Sequence, residues 1–268
     1  MECHRGRAVK WLSALVGVSS RVARARLVDV TALAESAAAD ENLKQQVAQI
    51  ELDVMRTALT ERERARLKTT LCAWLALNNS VGYTQGMHMI GSVFHRVYDG
   101  HTRSPDNDVL ASLASAANIN AAYMPMHMSD VVPLAESNSL AIRVWIDLSS
   151  CVPTIGDKTY PMMPMLRVFV LKSFPVLFAN IVQSEAALCV LWDFIFECDA
   201  KDRSRACRHL FVAMLLAHWR LFQFGVDAQQ SFCIFESLVG IAQENDARDI
   251  VKTAEHLARV ENISGVSI

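Results

Sequence analysis

Apolar residues recur at spacings of three and four along almost the whole chain, as in Leu67, Leu71 and Trp74 and again in Tyr83, Met87, Ile90, Phe94 and Val97. That period matches the α-helix, which returns a side chain to the same face every ~3.6 residues, and not the alternation of a half-buried strand. No alternating run is bounded by a hairpin dipeptide such as Asn-Gly or Asp-Gly, and 10 glycines and 7 prolines in 268 residues are too few to punctuate a β-sandwich. The expected fold class is therefore all-α.

Hydrophobic residues make up 52% and charged residues 20% of the chain, enough apolar material for a sizeable, ordered core in one domain near the upper end of domain size. The longest strictly apolar run, Leu210 to Ala217, is eight residues, against the ~20 that a membrane-spanning helix needs. No transmembrane segment is expected. Lys10 and Arg21 interrupt the apolar pattern near the N-terminus, which lacks the continuous apolar centre of a secretory signal, so the expected location is the cytoplasm.

Seven cysteines, at 3, 72, 151, 189, 198, 207 and 233, include no Cys-x-x-Cys pair and read as reduced core thiols. The regular spacing of Cys189, Cys198 and Cys207 is about two and a half helical turns, which would place successive thiols on opposite faces. A formal net charge of −2 without a dense Lys/Arg block leaves no electrostatic footprint for nucleic acid.

Thr60 with Glu63 forms a capping box that starts one helix and ends the one before it, while Ser184 and Asp227 mark two further starts. Polar or proline-rich irregular segments are expected over Gly100 to Asn107 and Cys151 to Pro164. Upstream of the capping box, Leu43, Val47, Ile50 and Val54 form one apolar stripe and Leu52, Met55 and Leu59 a second. Most of that helix is therefore expected to be buried. Gln45, Gln49, Asp53, Arg56 and Thr60 fall between the stripes in a narrow polar lane, which would leave Arg56 one way out. A second polar segment, Asn78 to Met87, runs into an amphipathic helix and sets Gln85 between Gly82 and Gly86, where backbone can approach a partner closely.

These two segments resemble the fingerprints of the TBC domain, the catalytic module of Rab GTPase-activating proteins. Ile50-Glu51-Leu52-Asp53-Val54-Met55-Arg56 fits the family's Ile-x-x-Asp-x-x-Arg motif and is followed by Thr57, as is common in the family. Tyr83-Thr84-Gln85 fits its Tyr-x-Gln motif and is followed by Gly86 and Met87. Arg5-Gly6, Trp11 and Leu15-Val16-Gly17 look like the family's opening helix, and Leu191-Trp192-Asp193 looks like its later Trp-Asp motif. Residues Tyr123 to Pro133 and the region of Pro153 look, more loosely, like its middle section.

The resemblance implies one bilobed, roughly V-shaped helical TBC domain over residues 1–268, with an N-terminal lobe of about 1–130 carrying both motifs and a C-terminal lobe of about 131–268. It implies an arginine finger at Arg56 and a glutamine finger at Gln85, with Asp53 and Tyr83 orienting them and Thr57 and Gly86 in support. The implied partner is a Rab-family small GTPase in its GTP-bound state. GTP and Mg2+ would be carried by that partner, the chain would need no cofactor or metal of its own, and it would be an activator in vesicle trafficking rather than an enzyme with its own substrate. The Rab would recruit it peripherally to endomembranes. The absence of Gly-x-x-x-x-Gly-Lys-Ser/Thr and Gly-x-Gly-x-x-Gly agrees with a protein that does not itself bind GTP. Three positions depart from the family's usual residues: Thr84 stands for Cys, His88 for Asn, and Val190 for Arg.

Each motif also has a plainer interpretation. Arg56 with Asp53 would by itself be a surface i, i+3 pair worth about 0.3–0.5 kcal/mol, and Gln85 alone an ordinary polar residue at a helix start. Trp192-Asp193 reads as a core anchor, the eight histidines show no metal-ligand spacing, and the methionines at 124–128 and 162–165 read as packing. The alternative to an activator is a non-catalytic Rab-binding adaptor on a TBC scaffold.

Overall fold

The computed structural model describes residues 2–16, 28–119, 132–152, 163–217 and 243–264. These residues form eleven α-helices and no β-strand, so the chain is all-α. It divides into two compact units, Met1–Asp130 and Val131–Ile268.

The first unit contains α1 (Glu2–Val16), α2 (Val30–Ala39), α3 (Lys44–Met55), α4 (Glu61–Leu77), α5 (Met87–Tyr98) and α6 (Pro105–Ile119). α4 is its centre and packs against α2, α3, α5 and α6. Leu67 and every residue from Thr70 to Leu75 are buried. Its start is the expected capping box: the Thr60 main-chain N–H donates to Glu63 Oε2 at 2.8 Å, and the Glu63 N–H donates to Thr60 Oγ1 at 3.3 Å.

The alanine-rich segment at 34–39 is the second half of α2, whose small side chains let it lie along α4 with Ala37 buried; Asp29 Oδ1 caps its start by accepting from the N–H groups of Thr31 and Ala32. On α5 the expected stripe of Met87, Ile90, Phe94 and Val97 is buried. Trp11 of α1 meets Phe94 edge-on at 5.9 Å, and Phe94 stacks on Tyr98 at 5.6 Å. The irregular segment expected from Gly100 stops sooner than proposed, because Pro105 opens α6: its fixed φ suits the first helical position, where the missing N–H costs nothing.

The second unit contains α7 (Val132–Cys151), α8 (Met163–Ser173), α9 (Glu185–Glu197), α10 (Arg203–Ala217) and α11 (Glu244–Ser264). Ser184 caps α9 as expected, its Oγ accepting from the Ala187 N–H. Trp192 is fully buried, and its Nε1 donates to the Leu177 carbonyl at 2.8 Å. That bond holds the turn after α8, where Leu177 and Phe178 adopt positive φ of 49° and 66°. The aromatic core is completed by Phe174, Phe178 and Phe211. Arg208, also buried, pairs with Asp147 at 3.3 Å and with Glu261 at 2.7 Å. Burial nevertheless pushes the Asp147 carboxyl up to about 6, with Arg208 opposing it.

Cys72, Cys189 and Cys207 are buried free thiols, but Cys151 is exposed, because it ends α7 instead of facing a neighbour. Val190 is buried on α9, an environment that suits an apolar side chain. The helix start expected at Asp227, Cys233, residues 120–131 and most of the proline-rich segment at 153–162 lie outside the described residues. No helix among the described residues is long and apolar enough to cross a membrane.

Candidate functional site

α3 stops one residue before Arg56. The Thr57 hydroxyl donates to the Val54 carbonyl at 2.6 Å and the Thr57 N–H to the same oxygen at 3.1 Å, satisfying a terminal carbonyl that the helix would otherwise leave open. Arg56 is thus the C-cap, where the partial negative charge of the helix end favours a cation. Its side chain is 69% exposed, so it is not confined in a lane as the periodicity suggested. The second apolar stripe is not buried either: Leu52 is 50% and Met55 65% exposed, while Leu59 is buried beyond the helix end. Leu52 and Met55 lie within α3 on an exposed face, and only Leu59, past the helix end, falls outside its register.

Asp53 is the buried residue. Only 1% of it is exposed, and a carboxylate removed from water needs donors. Gln49 Nε2 donates to Oδ1 at 2.9 Å, and the Tyr83 hydroxyl donates to Oδ2 at 2.9 Å. Arg56 Nη1 lies 3.9 Å from Oδ1, too far for a hydrogen bond but near enough for Coulomb attraction. His88 Nδ1 lies 3.7 Å from Oδ2 and 3.2 Å from the Tyr83 hydroxyl. Burial and the neighbouring Asp53 charge both drive the Tyr83 phenol well above its ordinary pKa, so it stays protonated as a donor.

The segment carrying Gln85 begins where Asn78 caps α4, with its Nδ2 donating to the Trp74 carbonyl. Gly82 then takes φ +75°, and a Cβ there would stand 2.9 Å from Gln46 Oε1. The same Gln46 oxygen accepts the Tyr83 main-chain N–H at 2.5 Å. Tyr83 is therefore fastened to α3 twice, through its backbone by Gln46 and through its phenol by Asp53. After it, Gly86 at φ +102° turns the chain into α5, and the Met87 N–H donates to the Thr84 carbonyl. Gln85 sits in that turn, exposed.

The structure thus joins Asp53 and Tyr83 directly, sets Arg56 and Gln85 on the two elements they join, and gives Thr57 and Gly86 the local tasks of ending α3 and starting α5. Gln46 was missed by sequence reasoning. Its signal was present, since Gln46, Gln49 and Asp53 share a face at spacings of three and four, but its partner is 37 residues away. His88, noted only as a departure, proves to be a member of the cluster. Among the described residues no group of three or more His, Cys, Asp or Glu is placed to hold a metal ion. What the site presents to solvent is one guanidinium and one amide.

The model of the RabGAP-TBC family, the Rab-GTPase-TBC domain, matches residues 3–129. The match spans α1 to α6 and includes both motifs. No curated protein matches the chain. The helical unit in which these two motifs are clipped together thus coincides with the stretch, residues 3–129, that is similar to the Rab-GTPase-TBC domain of the RabGAP-TBC family.

Proposed function

We propose that the protein accelerates GTP hydrolysis by a Rab-family small GTPase in its GTP-bound state, supplying Arg56 and Gln85 in trans. Small GTPases hydrolyse GTP slowly because charge developing on the transferred phosphoryl group is poorly neutralised and the attacking water poorly oriented. A guanidinium stays charged and donates several hydrogen bonds, which answers the first need. A carboxamide accepts from the water and donates toward phosphate, which answers the second. GTP and Mg2+ belong to the partner, and the chain supplies no chemistry beyond these two groups. Residues 131–268 complete the same module, and the membrane at which it acts is the one that carries the Rab.

The observation that carries this reading is the double attachment of Tyr83 to α3, at Gln46 and at Asp53. It ties the backbone that bears Gln85 to the helix that ends in Arg56, while both side chains remain exposed. Preorganised donors of this kind account for much of catalysis, and an arginine finger alone for roughly 10³ to 10⁵ in rate. Phosphate release from a panel of GTP-loaded Rabs, with the protein at catalytic concentration, tests it. At least one Rab should be accelerated, with Arg56→Ala and Gln85→Ala each losing most of the effect. Saturable binding of a Rab with unchanged hydrolysis would instead mark a non-catalytic adaptor.

A further inference from the structure

We infer that His88 is a proton-dependent positioning residue for Arg56, acting through Asp53. The inference rests on the activator reading for its consequence, but its geometry stands independently of any partner.

The phenol of Tyr83 has one proton. Asp53 Oδ2, an ionised oxygen at 2.9 Å, is a stronger acceptor than a ring nitrogen at 3.2 Å and takes it. The contact between the phenol oxygen and His88 Nδ1 is then an Nδ1–H donating to oxygen. This fixes the neutral ring as the Nδ1–H tautomer and leaves Nε2 as the position that titrates. Proton uptake there creates an imidazolium whose Nδ1 is 3.7 Å from Asp53 Oδ2.

One buried carboxylate would then face two cations. His88 is 6% exposed on the first turn of α5 and cannot leave. Arg56 is 69% exposed, is held at 3.9 Å without a hydrogen bond, and has water to move into. Charging His88 therefore releases Arg56 from Asp53. With the ring neutral, the attraction of Asp53 is directed to Arg56 alone.

Among the described residues, the charges that act on His88 are Asp53 and Arg56, both from α3. On α4 and α6, Arg66 and Asp106 gather with Asp99 around His95, near the far end of the helix, and Asp108 of α6 bears on Tyr98. Arg7 of α1 lies over the Trp11 ring. Burial holds the His88 pKa below its ordinary value, with Arg56 acting in the same sense and Asp53 against it. The neutral form is therefore the resting one near pH 7.

The experiment is NMR on the labelled full chain, following the His88 ring nitrogens and the Arg56 Nε–Hε signal from pH 7.5 to pH 5. The expected result is an Nδ1–H tautomer at pH 7.5, and an Arg56 signal that moves with the same midpoint as His88. In His88→Asn the Arg56 signal should no longer move over that range. An Nε2–H tautomer, an Arg56 signal that stays still while His88 titrates, or an Arg56 signal that moves equally in H88N would overturn the inference. If H88N does not fold, the parent titration alone decides. With a Rab that the panel shows to be accelerated, kcat should fall by up to about tenfold per pH unit below the His88 midpoint. That limb should be absent in H88N and present in a variant that keeps His88 and removes a histidine elsewhere, such as His95→Gln. If no Rab is accelerated, the activator reading fails while the NMR result still stands or falls by itself.

Discussion

The Tyr83 hydroxyl stands 2.9 Å from Asp53 Oδ2 while its main-chain N–H stands 2.5 Å from Gln46 Oε1, two turns earlier on the same helix. One residue of the Gln85 segment is thereby held at both ends by the helix that ends in Arg56. Local pairing within α3 would align Arg56 alone. The double attachment aligns two segments that are about thirty residues apart in sequence and makes their positions interdependent.

Removing either fastening should loosen the Gln85 segment before it unfolds the unit. Tyr83→Phe leaves a buried carboxylate oxygen without its donor, and a cost of about 1–3 kcal/mol is expected. Gln46→Leu takes away the acceptor of the Tyr83 N–H and should cost about 1 kcal/mol. Because both hold the same residue, the double variant should cost less than the two single losses added together, by at least ~0.5 kcal/mol. Urea unfolding followed by far-UV circular dichroism measures all three. Strict additivity would mean that the two contacts do not act on one element.

Gly82 and Gly100 make a controlled pair. Their φ values, +75° and +72°, are nearly the same, but a Cβ at Gly100 meets nothing within 4 Å while one at Gly82 meets Gln46 Oε1 at 2.9 Å. Gly100→Ala should therefore show only the backbone strain of a left-handed alanine, about 1–2 kcal/mol. Gly82→Ala should show that strain together with displacement of Gln46, and with it the loss of the Tyr83 fastening. The stability difference between the two alanine variants, and a loss of the proposed acceleration of Rab GTP hydrolysis confined to Gly82→Ala, check the idea. Equal behaviour in both assays would sink it.

Acid should destabilise the first unit through His95. Burial and the Arg66 charge press its pKa down to about 4, against Asp106 and Asp99. The folded state therefore prefers the neutral ring, and the stability this provides is complete above the ordinary histidine value of about 6.5 and is lost as the pH falls through about 4. On the order of 3 kcal/mol is at stake over that window, since a tenfold change in proton affinity is ~1.4 kcal/mol. His88, in the same unit, is shifted in the same direction and adds to the trend. Urea midpoints taken from pH 7.5 to pH 4 should fall less steeply for His95→Gln than for the parent. Parallel curves for the two proteins would show that His95 is not the group responsible.

Much of this was written in local sequence. The period of Leu67, Leu71 and Trp74 marked the buried face of α4, Thr60 with Glu63 marked its start, and Ser184 marked the start of α9. Such features depend only on neighbours within a turn, and a single sequence displays those neighbours directly. The reading failed where burial depends on which helix face a distant element covers. The second stripe of Leu52, Met55 and Leu59 assumed that α3 ran through Arg56, but the helix ends at Met55, where the Thr57 hydroxyl donates to the Val54 carbonyl. Leu52 and Met55 lie within α3 and are nevertheless exposed, because helical period marks an apolar face but not whether a neighbour covers it; Arg56, the C-cap, is exposed too.

The sequence by itself determined that the chain is helical, where several of its helices begin, and that Arg56 and Gln85 stand in the two motif segments. Tertiary structure alone decided that Asp53 is buried, that Tyr83 is fastened by Gln46 and Asp53, and that His88 joins them. The division follows from range. Periodicity and caps are set by hydrogen bonds and contacts within four residues, whereas Gln46 and Tyr83 meet across 37 residues and Asp53 and Tyr83 across 30. Those meetings exist only because α4 and α5 pack around a shared apolar core and bring the end of α3 against the segment that bears Gln85.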